Sequence, residues 1–127
     1  MDVTSTLAIC VMILFFLVAV FQFLLAFGFP FGEYAMGGSH RILPTKLRIV
    51  SVFNGMILLL MGSVYLMEAG VLDSFTFLPT TILAWAFTGF LALNTVGNSL
   101  SQSKKERMVM TPLSGMLFIL CLIINLN

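Results

Sequence analysis

Between Val3 and Gly32 the chain reads VTSTLAICVMILFFLVAVFQFLLAFGFPFG, 30 residues without one charged side chain. A helix needs about 20 predominantly apolar residues to cross the hydrocarbon core of a bilayer. This stretch therefore holds one spanning helix and is too short for two. It is not expected to be a removable signal peptide. Such a leader wants a basic start, an apolar core of about 7–15 residues and a small-residue cleavage site. Here Asp2 is the only early charge, and the apolar run continues past Phe27.

Three further windows repeat the pattern. Ile49–Met67, Ser74–Ser103 and Met108–Asn127 are uncharged over 19, 30 and 20 residues. All are dense in Leu, Ile, Phe, Met and Val without strict alternation, whereas a transmembrane barrel alternates apolar and polar residues in segments of about 10. The whole chain has 127 residues, of which 60% are hydrophobic and 9% charged. Soluble globular domains have roughly 45–50% and about 25%. The fold class that follows is an all-α membrane protein. We expect an antiparallel up-down-up-down bundle of four transmembrane helices over residues 5–28, 45–69, 79–98 and 104–126, in a single domain spanning 1–127.

The charges also orient the chain. Arg41, Lys46 and Arg48 lie between the first two helices; Lys104, Lys105 and Arg107 lie between the last two. The N-terminus, the turn around Asp73 and the C-terminus carry no Lys or Arg. Short cytoplasmic loops collect these residues. Loops 29–43 and 99–107 are therefore expected in the cytoplasm, with both termini outside and the cell membrane as the location.

Local signals place the helix ends. Pro44 and Pro79 suit helix starts, because the missing N–H has no partner there anyway, and Gly70 is a stop signal. Ser103-Lys-Lys-Glu106 reads as a capping box, so helix four starts at Lys104 and carries Pro112 inside it as a kink. Ser51, Gly55 and Gly62 fall on one face of helix two, and Ala84, Thr88 and Ala92 on one face of helix three. Small residues of this kind mark helix contacts in membranes.

Polar residues form a second pattern when placed by depth. At 1.5 Å per residue, Gln22 and Asn54 lie about 9 Å from the inner ends of their helices, and Asn94 about 7 Å. Ser114 of helix four reaches a similar level. This layer is either interhelical hydrogen bonding or the floor of a polar cavity open to the cytoplasm. In loop one, Gly37-Gly38 offers an anion-binding nest of backbone N–H groups. Arg41, Lys46, Arg48, Lys104, Lys105 and Arg107 are candidate contacts for anionic headgroups. Glu33 and His40 are a conceivable acid–base pair, but no nucleophile accompanies them. Glu68 lies near the outer interface, where it reaches water. Cys10 and Cys121 make no CxxC motif, and unpaired thiols are the expectation.

Gly32-Glu-Tyr-Ala-Met-Gly-Gly38 continuing to Leu43-Pro-Thr-Lys-Leu-Arg48, and Ser101-Gln-Ser-Lys-Lys-Glu-Arg107 continuing to Thr111-Pro112, resemble segments of uncharacterised small four-helix bacterial membrane proteins. That resemblance implies the fold and transfers no activity. The chain does not resemble small multidrug transporters, which place a carboxylate deep in helix one, or small fluoride channels.

The functional expectation is a non-enzymatic membrane component, accessory or lipid-interacting, with a basic cytoplasmic face. The alternative is a small oligomeric transporter or channel using Gln22, Asn54 and Asn94. A membrane enzyme acting through Glu33, His40 and Arg41 ranks third. No catalytic residue, cofactor site or metal site is assigned. The expected partners are the lipid bilayer with its anionic headgroups and a second copy or another membrane protein, but no nucleic acid.

Overall fold

The computed structural model describes residues 2–72 and 79–127, so the turn expected around Asp73 lies outside the described residues. Four helices account for most of the chain: α1 (Val3–Ala26), α2 (Thr45–Glu68), α3 (Thr80–Ser99) and α4 (Lys104–Leu126). Each is long and apolar enough to cross a membrane, the pattern of a multi-pass membrane protein. Their ends fall within two residues of the expected ones.

The shift at the start of α1 has a local cause. Asp2 caps α1 by accepting from the Ser5 N–H at 2.8 Å, which starts the helix at Val3 instead of near Ser5. That bond also holds the Asp2 carboxyl below the usual carboxylate range. At the other end Gly28, at φ +94°, turns the chain so that the Phe29 N–H donates back to the Leu24 carbonyl at 3.2 Å. Gly70 closes α2 in the same way, as left-handed glycines commonly do. Pro44 and Pro79 sit immediately before α2 and α3. Helix α4 is continuous across Pro112. Its capping box is only half formed: the Ser103 hydroxyl accepts from the Glu106 N–H at 3.3 Å, but the Ser103 N–H donates to Ser101 Oγ instead. The Glu106 side chain is thereby free to go elsewhere.

The helices pack most closely as two pairs, α1 with α2 and α3 with α4, and the pairs meet less extensively. Small residues explain the first pairing. A Cβ on Gly55 would lie 2.7 Å from the Phe23 ring, and one on Gly62 would lie 2.2 Å from Met12 Sδ. On α3, Ala84 and Thr88 are buried against α2 and α4. The Tyr65 hydroxyl lies 2.8 Å from the Ala84 carbonyl and 2.7 Å from Thr88 Oγ1, to which Asn125 Nδ2 donates at 2.8 Å.

The main core gathers Val11 and Phe15 of α1, Val64 and Tyr65 of α2, Leu91 of α3 and Leu117 and Cys121 of α4. Outward-facing side chains such as Ile13, Phe16, Ile82, Leu93 and Ile119 are exposed and apolar, as a lipid-facing surface requires. Cys10 faces out and Cys121 faces in, and both thiols are free.

Candidate functional site

Loop one, residues 29–43, is a packed structure in its own right. Leu25, Ala35 and Leu43 form a small core that pins it to the helix ends. Two short 3₁₀ turns, Gly32–Tyr34 and Met36–Gly38, fold it back on itself. The Gly32 N–H donates to the Arg41 carbonyl at 2.8 Å and closes the loop.

This loop docks on the start of α4. The Ser103 hydroxyl donates to the Glu33 carbonyl, and Lys105 pairs with the Glu33 carboxylate. Lys105 Nζ also sits 5.8 Å from the centre of the Tyr34 ring. The Lys105 hydrogen bond and charge hold the Glu33 carboxyl below its ordinary range. Gly38 fits against Ser103 so closely that a Cβ there would lie 2.4 Å from Ser103 Cβ. Met36, Gly37 and Gly38 all adopt positive φ, but their N–H groups do not converge on one anion, because that of Gly38 donates to the Ala35 carbonyl at 2.8 Å. The Gly37 N–H alone turns to a carboxylate, donating to Glu106 Oε2 at 3.3 Å.

Beneath this docked loop lies a cavity of about 650 Å³ between the two helix pairs, within the roughly 300–1,000 Å³ typical of ligand pockets. Gln22, Asn54 and Asn94 all line it, from three different helices. Ser114 does not: it is buried between α3 and α4, where Asn98 Nδ2 donates to its hydroxyl at 3.2 Å. Asn98 and Glu106 complete the polar wall, while Met61, Phe87 and Phe90 give an apolar one. Tyr34, Ala35 and Met36 of loop one form part of the lining. An apolar groove between α1 and α4 adjoins the cavity and shares Val18, Phe21 and Met110 with it.

Two polar atoms in this region stand out energetically. Gln22 Oε1 is buried and has no hydrogen-bond partner. Leaving such an acceptor unmatched costs about 1–3 kcal/mol. The Glu106 residue is only 6% exposed, and the one ion pair among the described residues joins Lys105 to Glu33. The Glu106 carboxyl lines the cavity with no cation paired to it among the described residues. Its first-turn position in α4 contributes about 0.3–1 kcal/mol through the helix dipole, or up to about 2 kcal/mol where partly buried. The Gly37 N–H adds a charge-assisted bond.

The basic residues divide. Arg41, Lys46 and Lys104 are exposed and available to headgroups. Lys105 is exposed but engaged with Glu33, and Arg107 is exposed with a bond to the Ser101 carbonyl at 2.8 Å. Arg48 is half-buried, packs over Gly28 and donates to the Leu43 carbonyl at 2.9 Å, bracing α1 against α2. Glu33 and His40 are not brought together as a pair: Glu33 faces Lys105, and His40 Nδ1 lies 3.1 Å from Ser39 Oγ. Glu68 accepts from the Thr81 hydroxyl at 3.1 Å, tying the end of α2 to the start of α3.

Sequence reasoning missed Asn98 and Glu106. Asn98 falls one helical turn beyond Asn94, so the layer could have been extended by spacing alone. Glu106 was read as half of a capping box, and only the fold of loop one reveals where its carboxylate goes. Comparison with protein-family models, curated proteins and solved structures finds no match to this chain.

Proposed function

We propose that this chain is a non-enzymatic protein of the cell membrane that holds a lipid-like amphiphile in the cavity between its helix pairs. In this reading the chain is one antiparallel up-down-up-down domain. Both termini face outward, and loops 29–43 and 99–107 face the cytoplasm, in line with the six basic residues they hold. Arg41, Lys46 and Lys104 then lie at the level of the anionic headgroups.

The supporting observation is the two-sided lining of the 650 Å³ cavity. Gln22, Asn54, Asn94 and Asn98 offer hydrogen bonds to a polar head, and Met61, Phe87 and Phe90 accept apolar matter. The adjoining α1/α4 groove gives a chain a continuous apolar path toward lipid. A water-filled pore would not need that path.

The test uses a variant whose own cysteines are replaced and whose single thiol is Asn54→Cys, reconstituted in vesicles. A small hydrophilic maleimide is expected to label it from the loop side, and a monoacylglycerol added beforehand is expected to slow that labelling. A silent thiol would mean the cavity is packed shut and would remove this reading. Impermeant labelling at Asp2, Ser39, Gln102 and Asn127 in intact cells tests orientation. Only Asp2 and Asn127 should react.

A second reading, small-molecule transport by the same layer, is supported by the way Tyr34, Ala35 and Met36 close the cavity through a few polar contacts. It requires flux that vanishes when Gln22, Asn54 and Asn94 are replaced by Leu in a folded protein.

A further inference from the structure

We infer that the cavity selects amphiphiles with a positively charged, ammonium-type head, and that Glu106 is the residue that recognises the charge. This inference rests on the cavity reading above and adds the chemistry of the ligand to it.

The polar wall is asymmetric in what it offers. Its neutral members are amides, which both donate and accept. Among the described residues its single carboxylate is Glu106, and no Lys, Arg or His lines the cavity. Glu106 is more than nine-tenths buried, and its partner among the described residues is one backbone N–H, from Gly37. Gln22 Oε1, contributed from α1, is a buried acceptor with no hydrogen-bond partner. The one carboxylate of the wall has no cation beside it among the described residues, which leaves the site short of positive charge. An ammonium head supplies that charge, and its N–H groups can reach Gln22 Oε1 and the Glu106 carboxylate.

The neighbourhood does not supply the charge internally. Lys105 is the nearest basic residue in sequence, but it points to Glu33 and to the Tyr34 ring on the exposed side. Arg107 turns to the Ser101 carbonyl. Both cations adjoining Glu106 in the chain are thus directed away from the cavity. The remaining volume suits the rest of an amphiphile, with one alkyl chain running along Val18, Phe21 and Met110 into the α1/α4 groove.

The test compares two probes of equal chain length, dodecylammonium and dodecylglycerol, as protectants of the Asn54→Cys thiol in maltoside micelles. The cationic probe is expected to protect at a concentration at least about tenfold lower, the discrimination a charged hydrogen-bond partner typically gives. Glu106→Gln should erase that preference. Gln keeps an oxygen acceptor for the Gly37 N–H, so loop one has no reason to lift. A second variant, Asn94→Asp, leaves Glu106 untouched and adds a carboxylate to the facing wall; it should raise the preference for the cation further.

If both probes protect equally, or if neither variant moves the preference, charge recognition by Glu106 is overturned while the cavity reading stands. If neither probe protects in any background, the cavity reading itself falls.

Discussion

Loop one should open when Gly32 is given a single methyl group. A Cβ at Gly32 would lie 1.9 Å from the His40 carbonyl oxygen and 2.8 Å from that of Arg41. Both obstacles are backbone, so no side-chain rotation relieves the clash. The same residue donates the N–H that closes the loop onto Arg41. Overpacking costs about 1–3 kcal/mol and a lost hydrogen bond about 0.5–1.5 kcal/mol, so Gly32→Ala should weaken loop closure by about 1.5–4.5 kcal/mol. At 1.4 kcal/mol per factor of ten, that raises the open population about 10- to 1,000-fold. Amide hydrogen exchange reads this directly, because the Tyr34, Ala35 and Gly38 N–H groups donate within the loop. Their exchange should accelerate at least about tenfold, while the middle of α2 stays protected. Gly89→Ala is the control: a Cβ there meets nothing within 4 Å. Unchanged exchange across loop one in a folded Gly32→Ala protein would refute the reasoning, as would an equal acceleration in Gly89→Ala.

Three other outcomes follow from the same contacts. Ser103→Ala removes both the cap of α4 and the donor to the Glu33 carbonyl; it should cost about 1 kcal/mol, seen as a lower unfolding midpoint in detergent and faster exchange in loop one. Tyr65→Phe deletes the hydroxyl shared with Ala84 and Thr88, and a titration with denaturing detergent should show a loss of about 0.6 kcal/mol, with about 1.7 kcal/mol as the ceiling. The third is acid sensitivity of the loop. The Glu33 carboxyl is lowered from its ordinary 4.5 by Lys105, so this contact contributes fully above that pH and is lost as pH falls through the lowered value. Loop-one exchange should therefore quicken in that acid window, and Lys105→Gln should abolish the pH dependence.

The helices were legible because their signals are local. Charge-free length, Gly70 as a stop, and Ser103 as a cap each act within a few residues of where they stand. The boundary at Asp2 was missed because a capping aspartate at the start of a chain looks like an ordinary terminal charge. The amide layer was legible in part, since helical rise alone puts Gln22, Asn54 and Asn94 at one depth. Rise says nothing about rotation. Ser114 shares that depth yet turns into the α3/α4 contact, where Asn98 reaches it. The polar cluster of Tyr65, Thr88 and Asn125 was invisible for the same reason, as its members belong together only once three helices are in register. Glu106 is the hardest case, because its partner Gly37 lies 69 residues away in a loop.

The cavity follows from where the small residues are spent. Gly55 and Gly62 let Phe23 and Met12 sink into α2, so α1 and α2 close on each other without a gap. On the other side Thr95 Cγ2 lies 3.6 Å from where a Gly115 Cβ would be, and α3 and α4 close as well. Between the pairs the facing residues at the loop end are Gln22, Asn54, Asn94 and Asn98, whose amides need partners that packed hydrocarbon cannot give. At the far end Tyr65, Thr88 and Asn125 answer one another, and there the pairs seal. At the loop end Asn98 turns to Ser114 and Met110 while Gln22 Oε1 stays unmatched, and the pairs remain apart. Amides thus act as glue at the far end, where Asn125 Nδ2 reaches Thr88, and as cavity wall at the loop end, where Gln22, Asn54 and Asn94 line the gap. Loop one, fastened by Glu106 and Ser103, is what the fold sets over the end left open.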